Sequence, residues 1–265
     1  MLNSLDSLVA LDIVIPWAFA IGLNAILVAI AWFAPKKLLT PAGLVHAGIL
    51  GIILWGTLGW RGYSVMMFYF LVGSAVTRIG MKQKEAAGIA EKRSGARGPE
   101  NVWGSALTAT LCALGAYGLA SAPFPWSRQV IFLLLLGYVA SISTKLSDTC
   151  ASEVGKAYGK RTFLITTLKP VERGTEGAVS LEGTLAGIVG SAALAIVGWL
   201  VGLITPMDIL WCLIAAFIAT NLESVIGATL QSKFDWLTNE VVNIFNTLMG
   251  AIAAIALALA FQAVT

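Results

Sequence analysis

Eight apolar runs crowd a chain of 265 residues, and no other feature limits its fold so sharply. They span roughly 9–34, 43–60, 63–80, 101–121, 128–150, 178–204, 207–230 and 239–263. Most approach or exceed the about 20 residues that a helix needs to cross a hydrocarbon core. Hydrophobic residues make up 58% of the chain and charged residues only 12%, whereas a soluble domain carries about 25% charged residues. A water-soluble enzyme is excluded on that balance, and so is a disordered chain. The sequence predicts an all-α polytopic protein, one integral membrane domain over 1–265 with about eight transmembrane helices. Only Trp60-Arg61-Gly62 separates the second run from the third, so a tight helical hairpin is expected there. Two polar stretches, about 81–100 and 156–177, are expected as long loops.

The cations are distributed unevenly. With the N-terminus outside, Lys36, Lys37, Arg78, Lys82, Lys84, Lys92, Arg93, Arg97, Lys145, Lys156, Lys160, Arg161, Lys169, Arg173 and Lys233 fall on one face, and only Arg61 and Arg128 on the other. That is a strong positive-inside signal. It predicts an even number of crossings, a cytoplasmic polar face and both termini on the opposite side. Nothing in this distribution suggests a nucleic-acid partner. Cys112, Cys150 and Cys212 share no close spacing and read as small core residues. His46 reads as a packing or helix-end residue, and Asn24 as a polar packing residue. Asp12 reads as a helix-end residue, and Asp6, Asp208 and Asp235 as loop or helix-start acids. No Arg- and Ser-rich leader opens the sequence, so a prokaryotic or already mature chain is expected.

Ionisable side chains within membrane spans are expensive and therefore functional suspects. Helical spacing places Ser141, Lys145, Asp148 and Ser152 on one stripe, with Thr149, Glu153 and Lys156 on the next. Three later helices bring Glu182; Asn221 and Glu223; and Glu240 and Asn243 to the same membrane face. Carboxylates with carboxamides and hydroxyls are hard-oxygen ligands of the kind magnesium takes. Lys156, Lys160, Arg161, Lys169 and Arg173 beside them suit a polyphosphate. Acid-held metal with a cationic loop is the equipment of phosphoryl or nucleotidyl transfer. Gly155-Lys-Ala-Tyr-Gly159-Lys160-Arg161 is no P-loop: it is one residue short between glycines, has Arg where Ser or Thr belongs, and follows a membrane helix. Its glycines could still admit a phosphate close to the backbone.

The stretch from Ser147-Asp148-Thr149 through Gly155-Lys156, Gly159-Lys160-Arg161, Lys169-Pro170-Val171-Glu172-Arg173 and Ser180-Leu181-Glu182-Gly183 resembles the integral membrane family containing phytyl-phosphate kinase. Gly73 through Arg78, Glu100-Asn101-Val102-Trp103-Gly104 and Thr238-Asn239-Glu240 through Asn243 extend the likeness over nearly the whole chain. More distantly, Asp148, Gly155-Lys156 and Gly159-Lys160 are similar to the motif of CTP-dependent phytol and dolichol kinases and of CDP-lipid synthases. The resemblance implies transfer of the CTP terminal phosphate to phytyl monophosphate, giving phytyl diphosphate, with magnesium as cofactor. It also implies a cyanobacterial member working in the plasma or thylakoid membrane.

Under that resemblance, Asp148 and Glu153 hold or orient magnesium, with Glu182, Glu223 and Glu240 as further metal-site acids. Lys145, Lys156, Lys160 and Arg161 engage nucleotide phosphates, while Lys169 and Arg173 clamp the lipid phosphate. Asn221 and Asn243 shape the metal site or the ribose pocket. Two rivals stand beside it: a nucleotidyltransferase forming a CDP-lipid, and a membrane transporter of ions or organic anions. Small residues on many helices permit a homodimer.

Overall fold

The computed structural model describes residues 17–35, 37–121 and 124–263. Asp6, Asp12 and Lys36, together with the first eight residues of the first apolar run, lie outside them. The described chain is mainly helical. Helix α1 (Trp17–Phe33) is followed by α2 (Pro41–Thr77), a short α3 (Met81–Ala86), α4 (Pro99–Ser121) and α5 (Ser127–Tyr158). After a loop come α6 (Leu181–Leu200), α7 (Pro206–Thr229) and α8 (Asn239–Gln262). Six of these, α2 and α4 to α8, are long and apolar enough to cross a membrane.

A straight helix of 37 residues would be about 55 Å long, nearly twice the hydrocarbon thickness. Helix α2 instead doubles back. Gly59 takes φ 63°, ψ −159°, a conformation open essentially only to glycine, and the chain reverses on that residue. Contacts across the reversal show it. The Arg78 guanidinium donates to the Lys37 carbonyl at 3.2 Å, and the Trp55 and Tyr63 rings lie 5.1 Å apart. Asn24 of α1 braces both legs: its Oδ1 accepts from the Tyr63 hydroxyl at 3.0 Å, and its carboxamide occupies the space left open at Gly51. The expected hairpin is therefore present, with legs 41–58 and 60–77. Its turn is Gly59 itself, and Trp60-Arg61-Gly62 already belong to the second leg. With those legs counted apart and α1 included, the apolar helical segments fall where the apolar runs lie.

Helix α5 is the axis of the bundle. Tyr138, Val139, Ala140, Ser141, Ser143 and Thr144 are wholly enclosed, because α2, α4, α6, α7 and α8 all pack against this helix. The Tyr138 hydroxyl, buried with its ring, donates to the Gly62 carbonyl at 2.7 Å. Helix α6 comes close to α5 through glycines: a Cβ on Gly187 would stand 3.0 Å from the Ser147 carbonyl, and one on Gly190 2.8 Å from Cys150 Sγ. The cysteines are free and buried, as small core residues should be. His46 Nδ1 accepts from Trp103 Nε1 at 2.9 Å, joining α2 to α4. Asp208 closes a capping box with Thr205 at the start of α7.

Regular structure enters both of the polar stretches expected as long loops. Strands β1 (Thr162–Leu164) and β2 (Ala178–Ser180) pair antiparallel, with Phe163 opposite Val179. The second loop thus becomes a ribbon, and it begins only after α5 ends at Tyr158. Within 81–100, expected as a long polar loop, lie α3 and a 3-10 turn (Lys92–Gly95). This segment is fastened to the bundle. Lys84, 1% exposed, forms a buried ion pair with Glu153 of α5 and donates to the Thr77 carbonyl at 2.8 Å. Arg97 bonds through its own backbone to Leu38 and Thr40 at 3.0 Å each.

Substitutions at Gly59 and at the Lys84–Glu153 pair, with Gly118 as a control, test these features by thermal unfolding in detergent. Gly59→Ala should destabilise by about 1–3 kcal/mol, since a Cβ is strained at that backbone position. Gly118→Ala, with nothing within 4 Å, should change stability by only a few tenths of a kcal/mol. Glu153→Leu should cost roughly 3–5 kcal/mol by leaving the Lys84 ammonium buried and unpaired, and Lys84→Met added to it should recover most of that loss.

Candidate active site

Where the carboxyl-terminal half of α5 leaves the tightly packed core, its apolar surface gives way to Lys145, Ser147, Asp148, Thr149, Ser152, Glu153 and Lys156. These side chains line a cavity of about 470 Å³. Its other walls come from α2, α4, α6, α7 and α8, from the 174–177 turn and the β2 strand, and from the 88–97 segment. A chamber of that size suits a small polar ligand.

At its floor Lys145 Nζ donates to Asp148 Oδ2 at 2.6 Å and to Asn243 Oδ1 of α8 at 2.6 Å. The spacing of three residues along α5 places the first pair on one face, and α8 supplies the third member. The Glu223 carboxyl of α7 lies within hydrogen-bonding reach of the Asp148 carboxyl. Glu223 Oε2 also accepts from Asn246 Nδ2 at 2.8 Å. Asn246 is fully buried, and its Oδ1 has no protein partner. Three helices thus hold one linked group: Lys145 and Asp148, Glu223, and Asn243 with Asn246. Lys145 and Asp148 do form an ion pair, but Asn243 and Glu223 draw that pair into a larger set facing the cavity.

The remaining sequence candidates divide into two groups. Lys156, Glu153, Asn221 and Glu240 line the cavity with that floor. Glu153 is committed to Lys84, with Lys156 Nζ standing 3.9 Å from its other oxygen. Lys160, Arg161, Lys169, Arg173 and Glu182 lie outside the cavity lining. Of these, Arg173 donates to the Ala157 carbonyl at 3.2 Å, and Glu182 accepts from the Lys160 backbone N–H at 3.4 Å. Gly155 and Gly159 make room for Ser180: a Cβ on either would approach its Oγ to 3.3 and 3.1 Å. Ser180 is the residue that caps α6.

Arg93 and Arg97 line the cavity but were not among the sequence candidates. Arg97 donates to the Tyr69 hydroxyl at 3.1 Å and lies over its ring at 5.1 Å. Tyr69 in turn donates to Ser105 Oγ at 3.0 Å. Gly73 leaves room for that guanidinium, since a Cβ there would come within 2.8 Å of Arg97 Nη2. Arg93 pairs with Glu100. The readable signals were Gly73 beside Arg97 and Glu100-Asn101 beside Arg93, each within a stretch that carried the family resemblance.

Among the described residues, no group of three or more His, Cys, Asp or Glu side chains is arranged to hold a metal ion. The adjacent Asp148 and Glu223 carboxyls are a smaller set. Magnesium commonly takes one or two carboxylates and completes its shell with water and substrate phosphate, so this pair fits it. The full five-acid set does not gather at one point, because Glu153 is already paired and Glu182 lies apart.

Residues 24–251 match the family model described as integral membrane protein DUF92. A membrane protein of the cyanobacterium Synechocystis sp. is 68% identical over 240 residues, covering 91% of this chain and 90% of that one. The chloroplastic protein VTE6 of Arabidopsis thaliana is 45% identical over 242 residues, covering 90% of this chain and 71% of its own length. A membrane protein of the archaeon Methanocaldococcus jannaschii is 34% identical over 221 residues, 83% of this chain and 86% of that one. No solved structure matches. The match spans both the helical bundle and the residues around Lys145 and Asp148, so the chain belongs to the DUF92 family of integral membrane proteins.

Proposed function

We propose that this protein is a prenyl-phosphate kinase. It moves the terminal phosphate of a nucleoside triphosphate, CTP by the family resemblance, onto phytyl monophosphate to give phytyl diphosphate and CDP. The observation that carries this reading is the linked Lys145–Asp148–Glu223–Asn243 group at the floor of a cavity also lined by Lys156, Arg93 and Arg97. The family relationship and the likeness to VTE6 support it.

The chemistry asks little of a base. A phosphate monoester has a second pKa of about 6, so near neutral pH the acceptor is already largely ionised. An acceptor oxygen attacks the terminal phosphorus, the bond to the bridging oxygen breaks, and CDP leaves with that electron pair. The main difficulty is bringing two polyanions together. Lys145 and Lys156 offer ammonium groups from α5, and Arg97 offers a planar guanidinium from the facing segment. Asp148 and Glu223 would hold magnesium, which would neutralise charge on the transferred group. The Lys145–Asn243 bond holds the floor in place before substrate arrives. By the positive-inside rule, the cations gathered at this end of the bundle support a cytoplasmic-facing cavity, with the eight crossings that the apolar runs predict.

Purified protein in lipid, given magnesium, CTP labelled in its terminal phosphate and phytyl monophosphate, should yield labelled phytyl diphosphate and CDP. Pyrophosphate release with cytidylate on the lipid would instead make the protein a nucleotidyltransferase. No labelled lipid with any nucleotide would overturn both. Asp148→Asn should lower transfer by about 100-fold or more, the scale of losing one group that stabilises transferred charge; unchanged elution from a sizing column checks its fold. Lys156→Ala should raise the nucleotide KM roughly tenfold, about 1.4 kcal/mol of binding, with a smaller effect on kcat.

A further inference from the structure

The polar cavity does not open only at the end of the bundle. Thr184 and Ile188 of α6 and Phe217 and Asn221 of α7 line it together with Lys145 and Asp148. Yet Ile188 is 38% exposed and Phe217 47% exposed, and they share helix faces with Leu185 and Leu210, which are exposed without lining the cavity. A side chain that borders both an inner chamber and the outer surface stands at an opening between them. Leu185 and Leu222, also exposed, continue the apolar surface on either side.

The packing of α6 explains the gap. Gly183, Gly187 and Gly190 draw that helix against Ala151, Ser147 and Cys150 of α5. Its neighbouring stripe, Thr184 and Ile188, is left bordering the chamber on the side of α7. Ile188 lies seven residues beyond Leu181 in α6, about 10 Å along the helix axis and therefore well into the hydrocarbon layer. Polar groups sit on the inner side of the same opening. The Thr220 hydroxyl is buried without a protein partner, and Asn221 Nδ2 donates to the Phe217 carbonyl at 2.7 Å. An unpaired hydroxyl beside an apolar threshold suits a molecule whose head is anionic and whose body is hydrocarbon.

We propose that the gap between α6 and α7, bounded by Thr184, Ile188, Phe217 and Asn221, is a lateral entrance for a lipid phosphate. The phosphate passes inward to Lys145 and Asp148 while the hydrocarbon tail stays between Ile188 and Phe217, in contact with the bilayer. This rests on the lipid-phosphate reading above and adds the route and the tail site.

The test uses the full chain in phosphatidylglycerol–phosphatidylcholine nanodiscs with a twenty-carbon prenyl monophosphate bearing a diazirine in its tail. On illumination, label should enter residues 184–188 and 217–222, saturate with probe, and be displaced by phytyl monophosphate. Ile188→Trp should cut that labelling at least fivefold. It should also raise the KM for the long-chain acceptor about tenfold while leaving the nucleotide KM unchanged. Label on other helices, label that does not saturate, or full labelling in Ile188→Trp would overturn the entrance. Specific labelling by a wild type that transfers no phosphate would keep the entrance and remove the kinase. Transfer with label elsewhere would do the reverse.

Discussion

An ammonium group enclosed among membrane helices is the constraint to which the rest of this architecture answers. Taking a charge from water into a bundle interior costs several kcal/mol unless other groups replace the lost hydration. Lys145 is 8% exposed, and its bonds to Asp148 and Asn243 supply that replacement. One of those partners is local to α5 and the other must be delivered by α8. The bond from Asn246 to Glu223 then ties α8 to α7 on the same level. Removing any one of these helices would strand a polar group, so the bundle order and the electrostatics of the floor are a single problem with a single solution.

A second buried ion pair works one turn and more further along α5. Lys84 and Glu153 are sequestered from water, and their attachment holds α3, and the segment after it, over the end of the bundle. That segment ends in Arg97, whose guanidinium rests on Tyr69 and beside Gly73. The helices thus supply a rigid floor, while a clamped polar segment supplies part of the wall. Rigid placement of the charged groups suits transfer between two anions, because attraction has to exist before the reactants meet.

Much of this was legible in the sequence. Apolar length and cation asymmetry marked the helices, and helical spacing alone put Lys145 and Asp148 on one face. The convergence of Glu223 and Asn243 on that pair was readable because each sits near the same end of its own apolar run. Lys84 and Glu153 were not readable as partners: 69 positions separate them, and no periodicity relates a loop lysine to a helix glutamate. For the same reason Lys160, Arg161, Lys169 and Arg173 looked equivalent to Lys156, although only Lys156 lies on the helix that reaches the cavity. Charge in a loop states composition; its position depends on the fold of that loop, here a short ribbon set by the β1–β2 pairing. Gly59 shows the converse, since a hairpin was visible from run lengths but the pivot was hidden among neighbouring glycines.

That pivot bears on how the protein is made. The legs of α2 share one residue and no loop, so neither can settle in the bilayer while the other waits in water. The apex of the pair carries a single guanidinium, that of Arg61, while Lys37 and Arg78 lie at the open end. A hairpin of this form, inserted as one unit, would have one charged side chain to carry across, and cations at its open end would oppose the reverse orientation.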